Sequence, residues 1–341
     1  MTTTSLPRAL GAPPARVLLR AEPEDFQVRE ILGFTPEGSG QHRMLWVEKR
    51  DLTTEQVARV LARLAGVAPV AVGYAGLKDR RALTWQWFSI DLAGRPEPDW
   101  SALELPGVRI LEIHPHRRKL ARGALRGNAF RIRLRDFRGD RGEVENRLDR
   151  LGVGGFPNYF GEQRFGREGG NVARARAWFA GRLRPRGRHE RGLLLSSVRS
   201  QLFNRILAAR VADGSWNRLL SGEAPMLDGR RAVFRLERPD AESRARCRRL
   251  EIHPTGPLWG RGEPLSSGAL ARWEAWFCRR DRELAEGLER ARVEAARRAL
   301  RVRLSSLAWE WQGDDLLLNF TLPAGAYATA LLRELVEYAS H

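Results

Sequence analysis

Apolar and polar residues first alternate over Asp25 to Glu30 and again over His42 to Lys49, with the turn-like cluster Pro36-Glu37-Gly38-Ser39-Gly40 between them. This pattern predicts a two-stranded antiparallel unit. Thr53 and Gln56 have capping-box spacing, and Val57, Val60, Leu61 and Leu64 follow at helical spacing up to Gly66, which predicts a helix. Thr84 to Asp91 is β-branched and aromatic and reads as a strand, as does Val108 to Ile113. Phe130 to Arg135 alternates strictly, with Phe130, Ile132 and Leu134 on one face and three arginines on the other.

The character changes around Gly152-Val153-Gly154-Gly155, where a domain boundary is expected. Helices are predicted from Asn171, from Ser197 with Val198, Leu202, Ile206 and Ala209 inward, and from Ala269 towards Leu300. On the last of these, Glu286 with Arg290 and Glu294 with Arg298 have the spacing of ion pairs on a solvated helix face. The tail returns to a β-pattern: Leu307 to Trp311 and Leu316 to Leu322 flank Gln312-Gly313-Asp314-Asp315, a hairpin signature. A final helix with Leu331, Leu332, Leu335 and Val336 follows.

Charge narrows the choice of function. The 341 residues carry 59 Lys and Arg against 41 Asp and Glu, a formal net charge of +18, which suits a polyanionic partner, nucleic acid first. Arg117, Arg118, Lys119, Arg122 and Arg126 make the most basic stretch, and with the arginine face of the following strand they are expected to meet phosphates. Cys247 and Cys278 form no disulfide framework, and His114 with His116 lacks a third ligand for a metal. A reducing cytoplasm fits. Met1 to Arg16 has no basic start followed by an apolar core, and no segment reaches the roughly 18 apolar residues of a spanning helix.

The candidate chemistry lies between the helix and the strand at Thr84. Gly73 to Ser89 seats Asp79 among Lys78, Arg80 and Arg81, so an anionic carboxylate is expected there at neutral pH. Such a group on a loop held by a scaffold is a ready nucleophile or base. The bland alternative is a solvated charged turn.

Ala75-Gly76-Leu77-Lys78-Asp79-Arg80 followed by Thr84, Gln86, Trp87, Phe88 and Ser89 resembles the signature of the TruD family of tRNA pseudouridine synthases. Further segments resemble family motifs in the family's order. They are Gly127-Asn128-Ala129-Phe130, Pro157-Asn158-Tyr159-Phe160-Gly161 with Gln163-Arg164-Phe165-Gly166, and Leu322-Pro323-Ala324-Gly325 with Tyr327-Ala328-Thr329. The resemblance implies an α+β chain: a pseudouridine synthase fold with a mixed, largely antiparallel sheet in 1–153 and 302–341, and an inserted α+β TRUD domain in 154–301. It implies isomerisation of uridine to pseudouridine in tRNA, at position 13 of the D arm, by a cytoplasmic monomer that needs no cofactor, metal or protein partner.

By the same resemblance Asp79 is the catalytic aspartate, while Phe26, Asn128 and Tyr327 bind substrate, Tyr327 standing where relatives often have Phe. Arg20 aligns with a basic residue that pairs with the aspartate, a position where Lys is common. Phe130 is a further stacking candidate, with core packing as its alternative role. The rival function is a non-catalytic RNA-binding or RNA-folding protein on the same scaffold.

Overall fold

The structure is a computed structural model that describes residues 6–340. The chain divides into two compact units, both discontinuous. One contains Ala15–Asp140, Leu304–Gly325 and the residues from Glu337; the other contains the residues up to Pro14, Arg141–Arg303 and Ala326–Val336.

The first unit is built on a ten-stranded mixed sheet. Its first elements are β1 (Ala15–Leu19), β2 (Phe26–Leu32), β3 (His42–Arg50), α1 (Thr54–Leu64), β4 (Val72–Tyr74), β5 (Leu83–Asp91), β6 (Val108–His116) and β7 (Leu125–Gly139). A C-terminal hairpin, Ser305–Gln312 and Asp315–Pro323, and a last strand, Glu337–Ser340, complete it. From one edge the hairpin strands are followed by β7, β2, β5, β3 and β6; β1 joins β7 to the last strand, and β4 pairs with β5. Among the described residues of this sheet, only the β1 pairing with Glu337–Ser340 and the β2–β5 pairing are parallel. The sheet is therefore mixed and largely antiparallel, as expected.

The predicted pairing of the first two alternating segments does not form. β5 lies between β2 and β3, taking β2 in parallel and β3 in antiparallel register. The turn-like Pro36 to Gly40 segment connects strands that are not neighbours.

α1 forms where its spacing predicts. The Thr53 hydroxyl accepts from Gln56 N and the Gln56 side chain accepts from Thr53 N, a complete capping box. Val57, Ala58, Leu61 and Ala62 pack on Leu45 and Val47 of β3 and on Phe88 and Ile90 of β5. Burial of each large side chain there contributes about 1.5–3 kcal/mol, so α1 is fixed to one face of the sheet.

The second unit is mainly helical. Gly170–Phe179, Arg188–Ala212, Gly268–Arg279 and Arg282–Arg290 surround a core containing Val172, Leu194, Val198, Leu202, Ile206, Leu284 and Leu288. The helix expected from Ser197 starts earlier, at Arg188. The single helix expected from Ala269 towards Leu300 is two helices followed by a strand, Ala296–Ala299, paired with Thr255–Leu258. Glu286 and Arg290 do pair at 3.4 Å, but Glu294 pairs with Arg261 and Arg298 with Asn158 Oδ1. Beyond Arg290 the chain is no longer helical, so spacing by four residues no longer places side chains together.

Candidate active site

The loop between β4 and β5 presents Asp79, and buried polar groups beneath it hold it in place. Thr54, the first residue of α1, accepts a hydrogen bond from Lys78 N at 3.0 Å and donates to Gln86 Oε1 at 2.8 Å; Gln86 Nε2 donates to Gly76 O at 3.3 Å. Thr54 and Gln86 are both completely buried. Their bonds satisfy side chains that would otherwise be costly in an apolar core, and they also fix the course of the loop.

Two cations near Asp79 in sequence have carboxylate partners of their own. Lys78 turns inward to Glu30 Oε2 at 2.5 Å, where the other carboxylate oxygen of Glu30 accepts from Trp87 N at 3.2 Å. Arg80 leans towards Asp51 at 3.6 Å. One partner of Asp79 comes from far away in the chain: Arg20 Nη2 donates to Asp79 Oδ2 at 2.6 Å. Arg20 directly follows β1 with φ of +59°, a left-handed conformation rare outside glycine and typical of constrained functional positions. Its guanidinium lies 4.0 Å from the centre of the Phe26 ring, a cation–π contact that orients the fork. The Arg20 and Asp79 side chains are 16% and 25% exposed, so the ion pair is shielded yet open to solvent.

Phe26, Glu30, Asn128 and Phe130 share the sheet face that carries the buried side chains of β2 and β7, since Glu30 pairs with Asn128 and Val28 with Phe130 in register. Phe26 and Phe130 meet edge to face at 6.1 Å, and Phe130 stacks on Phe320 at 5.2 Å. Phe130 is accordingly a packing residue of this face. The Oδ1 atom of Asn128 is buried and has no hydrogen-bond partner among the described residues. Such an acceptor is available to a further donor. Gly127 before it is required by packing: a Cβ there would stand 2.4 Å from Leu322 O.

Tyr327 belongs to the other compact unit and is described within it. It sits at the N-cap of the helix Ala328–Leu335, its hydroxyl accepting from Arg164 Nε at 3.0 Å and its ring meeting Phe160 edge to face at 6.0 Å. Arg298 lies 4.0 Å from the centre of the Phe160 ring, and burial pushes its guanidinium down to about 10. Two of the motifs, around Pro157 to Gly166 and around Tyr327, thus meet side by side.

The expected row of phosphate-binding arginines is mostly committed elsewhere. Arg135 binds Asp25, and Arg133 binds Gln312 and Asp315. Arg131 is exposed and lacks an ion-pair partner among the described residues. It borders an open pocket of ≈ 360 Å³ with Gln27, Arg29 and Trp85, on the sheet face opposite Phe26 and Asn128. In the basic loop, Arg117 pairs with Glu37 and Arg122 lies over Tyr74, while Arg118 and Arg126 are exposed and unpaired among the described residues. His114 contacts Glu112, and His116 is buried against the ring of Phe34.

Sequence reading gave Glu30, Lys49 and Thr54 no part in the site, and it named Gln86 in the signature without its hold on the loop. The first three sat inside patterns already assigned to strands and a helix cap, and only a polar residue at an inward position of an otherwise apolar face could have flagged Glu30 and Lys49.

The model of the family described as tRNA pseudouridine synthase D (TruD) matches residues 8–174 and 187–335. The tRNA pseudouridine synthase D of Methylococcus capsulatus is 49% identical over 334 residues, covering 98% of this chain and 94% of that protein. That of Nitrosococcus oceani is 49% identical over 338 residues, with 96% and 92% covered. The crystal structure of the TruD protein from Methanosarcina mazei superposes with a TM-score of 0.72 over 97% of this chain and 95% of that one, at 22% identity, and shares the fold. Family model, relatives and architecture agree over nearly the whole length: the chain belongs to the TruD family of tRNA pseudouridine synthases.

Proposed function

We infer that this chain is a tRNA pseudouridine synthase, which isomerises uridine to pseudouridine in tRNA, and we propose that it acts at position 13 of the D arm with Asp79 as the catalytic aspartate. The observation that carries the assignment of Asp79 is its ion pair with Arg20, itself seated over Phe26, on the loop that bears the family signature. In the reaction the C1′–N1 bond breaks, the uracil turns, and C5 joins C1′ and gives up its proton while N1 takes one from solvent, so that no atom is gained or lost overall. A carboxylate can act on the sugar carbon, on the base, or on a sugar proton, and each route requires the anion that Arg20 accompanies.

A uridine stacked in folded RNA is out of reach and must be flipped into the site. Phe26 supplies an aromatic face to replace the lost stacking, and the orphan Oδ1 of Asn128 suits the imide N–H of uracil. The proposal assigns 1–153 and 302–341 to catalysis and 154–301 to an inserted domain; the unit that holds the sheet is likewise discontinuous, but it leaves the residues up to Pro14, 141–153 and Ala326–Val336 to the other unit. A cytoplasmic monomer that uses no cofactor completes the proposal.

The test replaces Asp79 by Asn and measures pseudouridine formation and tRNA binding separately. Product is expected to vanish while binding persists. Product formed at the normal rate by the variant would exclude Asp79 from the chemistry and favour an RNA clamp without catalysis.

A further inference from the structure

Lys49 occupies the last inward position of β3, where the alternation that places Leu45 and Val47 against α1 also turns its side chain into the interior. It is completely buried. Its Nζ donates to Leu52 O at 2.6 Å and to Asp79 O at 2.9 Å. The first carbonyl lies just before the cap of α1 and the second is that of Asp79 itself. A methionine would fill the same space without the cost of burying a charge, so what the ammonium adds is a grip on two carbonyls by charge-assisted hydrogen bonds.

We propose that Lys49 is a positioning residue for the reaction: its buried ammonium ties the main chain at Asp79 to the entry of α1 and thereby sets the direction in which the carboxylate points. This rests on Asp79 being the catalytic residue. Thr54 and Gln86 restrain the loop at Lys78 and Gly76; at Asp79 the main-chain carbonyl is held by Lys49. Misplacement of a reacting group by about 1 Å costs on the order of 100-fold in rate.

The charges facing the ammonium are Asp79 and Lys78 from the loop, Glu55 from the first turn of α1 and Asp51 from the end of β3; its cross-strand neighbours are Thr84 on β5 and Val108 on β6. Burial is the largest influence and pushes the group down to about 8, with Asp79 drawing it back up. The clamp therefore loses its charge at mildly alkaline pH, where the remaining amine bonds are weaker.

The experiment follows single-turnover release of tritium from tRNA labelled at uridine C5, for the unmodified enzyme, Lys49→Met and Asp79→Asn, over a pH series through neutrality to mild alkali. Lys49→Met should lower the maximal rate on the order of 100-fold while the tRNA dependence moves less than about threefold, since Lys49 has no surface that RNA can touch. The unmodified enzyme should lose rate above a pH of about 8, and Lys49→Met should lack that limb; any limb owed to the RNA is common to both. A rate for Lys49→Met within about threefold of normal, or the same alkaline limb in both proteins, would overturn the proposal.

If Lys49→Met fails to fold, the unmodified protein decides. Lys49, Lys78 and Lys119 are the only lysines, so lysine-labelled NMR resolves the buried signal. Titration of that signal together with the rate supports the clamp, and a rate that stays level through that titration overturns it. An active Asp79→Asn would remove the underlying assignment, whereas an inactive Asp79→Asn beside a fully active Lys49→Met would remove the clamp alone.

Discussion

At the scale of single residues, the site depends on which cation faces which carboxylate, and sequence proximity is a poor guide to that. Lys78, next to Asp79, is used to hold Glu30, and Arg20 from just after β1 takes a place beside the Asp79 carboxylate. The pull of a buried carboxylate explains the exchange, since an unpaired Glu30 on the inner face of β2 would be strongly destabilising. Lys49 allows a stability test as well. Its ordinary value of 10.5 falls to about 8 in the fold, so between those pH values the unfolded chain holds a proton that the native state has released. Stability of the native protein relative to Lys49→Met should therefore rise with pH across that window, by up to roughly 3 kcal/mol, while activity falls. Urea unfolding of both proteins at the two ends of the window measures this; a constant difference would mean that the ammonium stays charged throughout.

At the scale of elements, the signals that came through were those with local causes. The capping box of α1, the alternation of β7 and the turn Gln312 to Asp315 all form as their spacing predicts. What failed was pairing and continuation: β2 and β3 are separated by β5, and the helical pattern after Ala269 breaks twice. A strand's partner is set by whichever face buries more apolar surface, and that depends on residues far away in sequence. The close approach of β7 to the hairpin gives an element-scale prediction. Gly127→Ala should place a methyl 2.4 Å from Leu322 O, and the strand must shift to relieve it. A loss of about 1–3 kcal/mol in thermal or urea unfolding is expected, together with weaker substrate turnover because Asn128 moves with the strand. Unchanged stability would show that the hairpin yields instead.

For the whole molecule, the net charge of +18 shapes encounter more than chemistry. Many of its arginines are neutralised within the fold, Arg133 and Arg135 among them, while Arg118, Arg126 and Arg131 are left exposed. Affinity for tRNA should fall steeply with salt, and replacing both Arg118 and Arg126 by Ala should flatten the slope of log affinity against log salt by about 2. Filter binding at several salt concentrations reads this directly; an unaltered slope would place the phosphates elsewhere.

The residues alone determined the family-type signature at Asp79, the locally encoded helix and strands, and a surface fit for a polyanion, because each depends on neighbours within a few positions. The tertiary structure decided that Arg20, distant in sequence, pairs with the carboxylate of Asp79, that Phe130 packs against Phe320, and that Lys49 and Thr54 hold the loop from beneath. Those outcomes turn on burial, which removes water as the competing partner and makes every inward polar group find a specific one. No pattern along the chain records which distant group that will be.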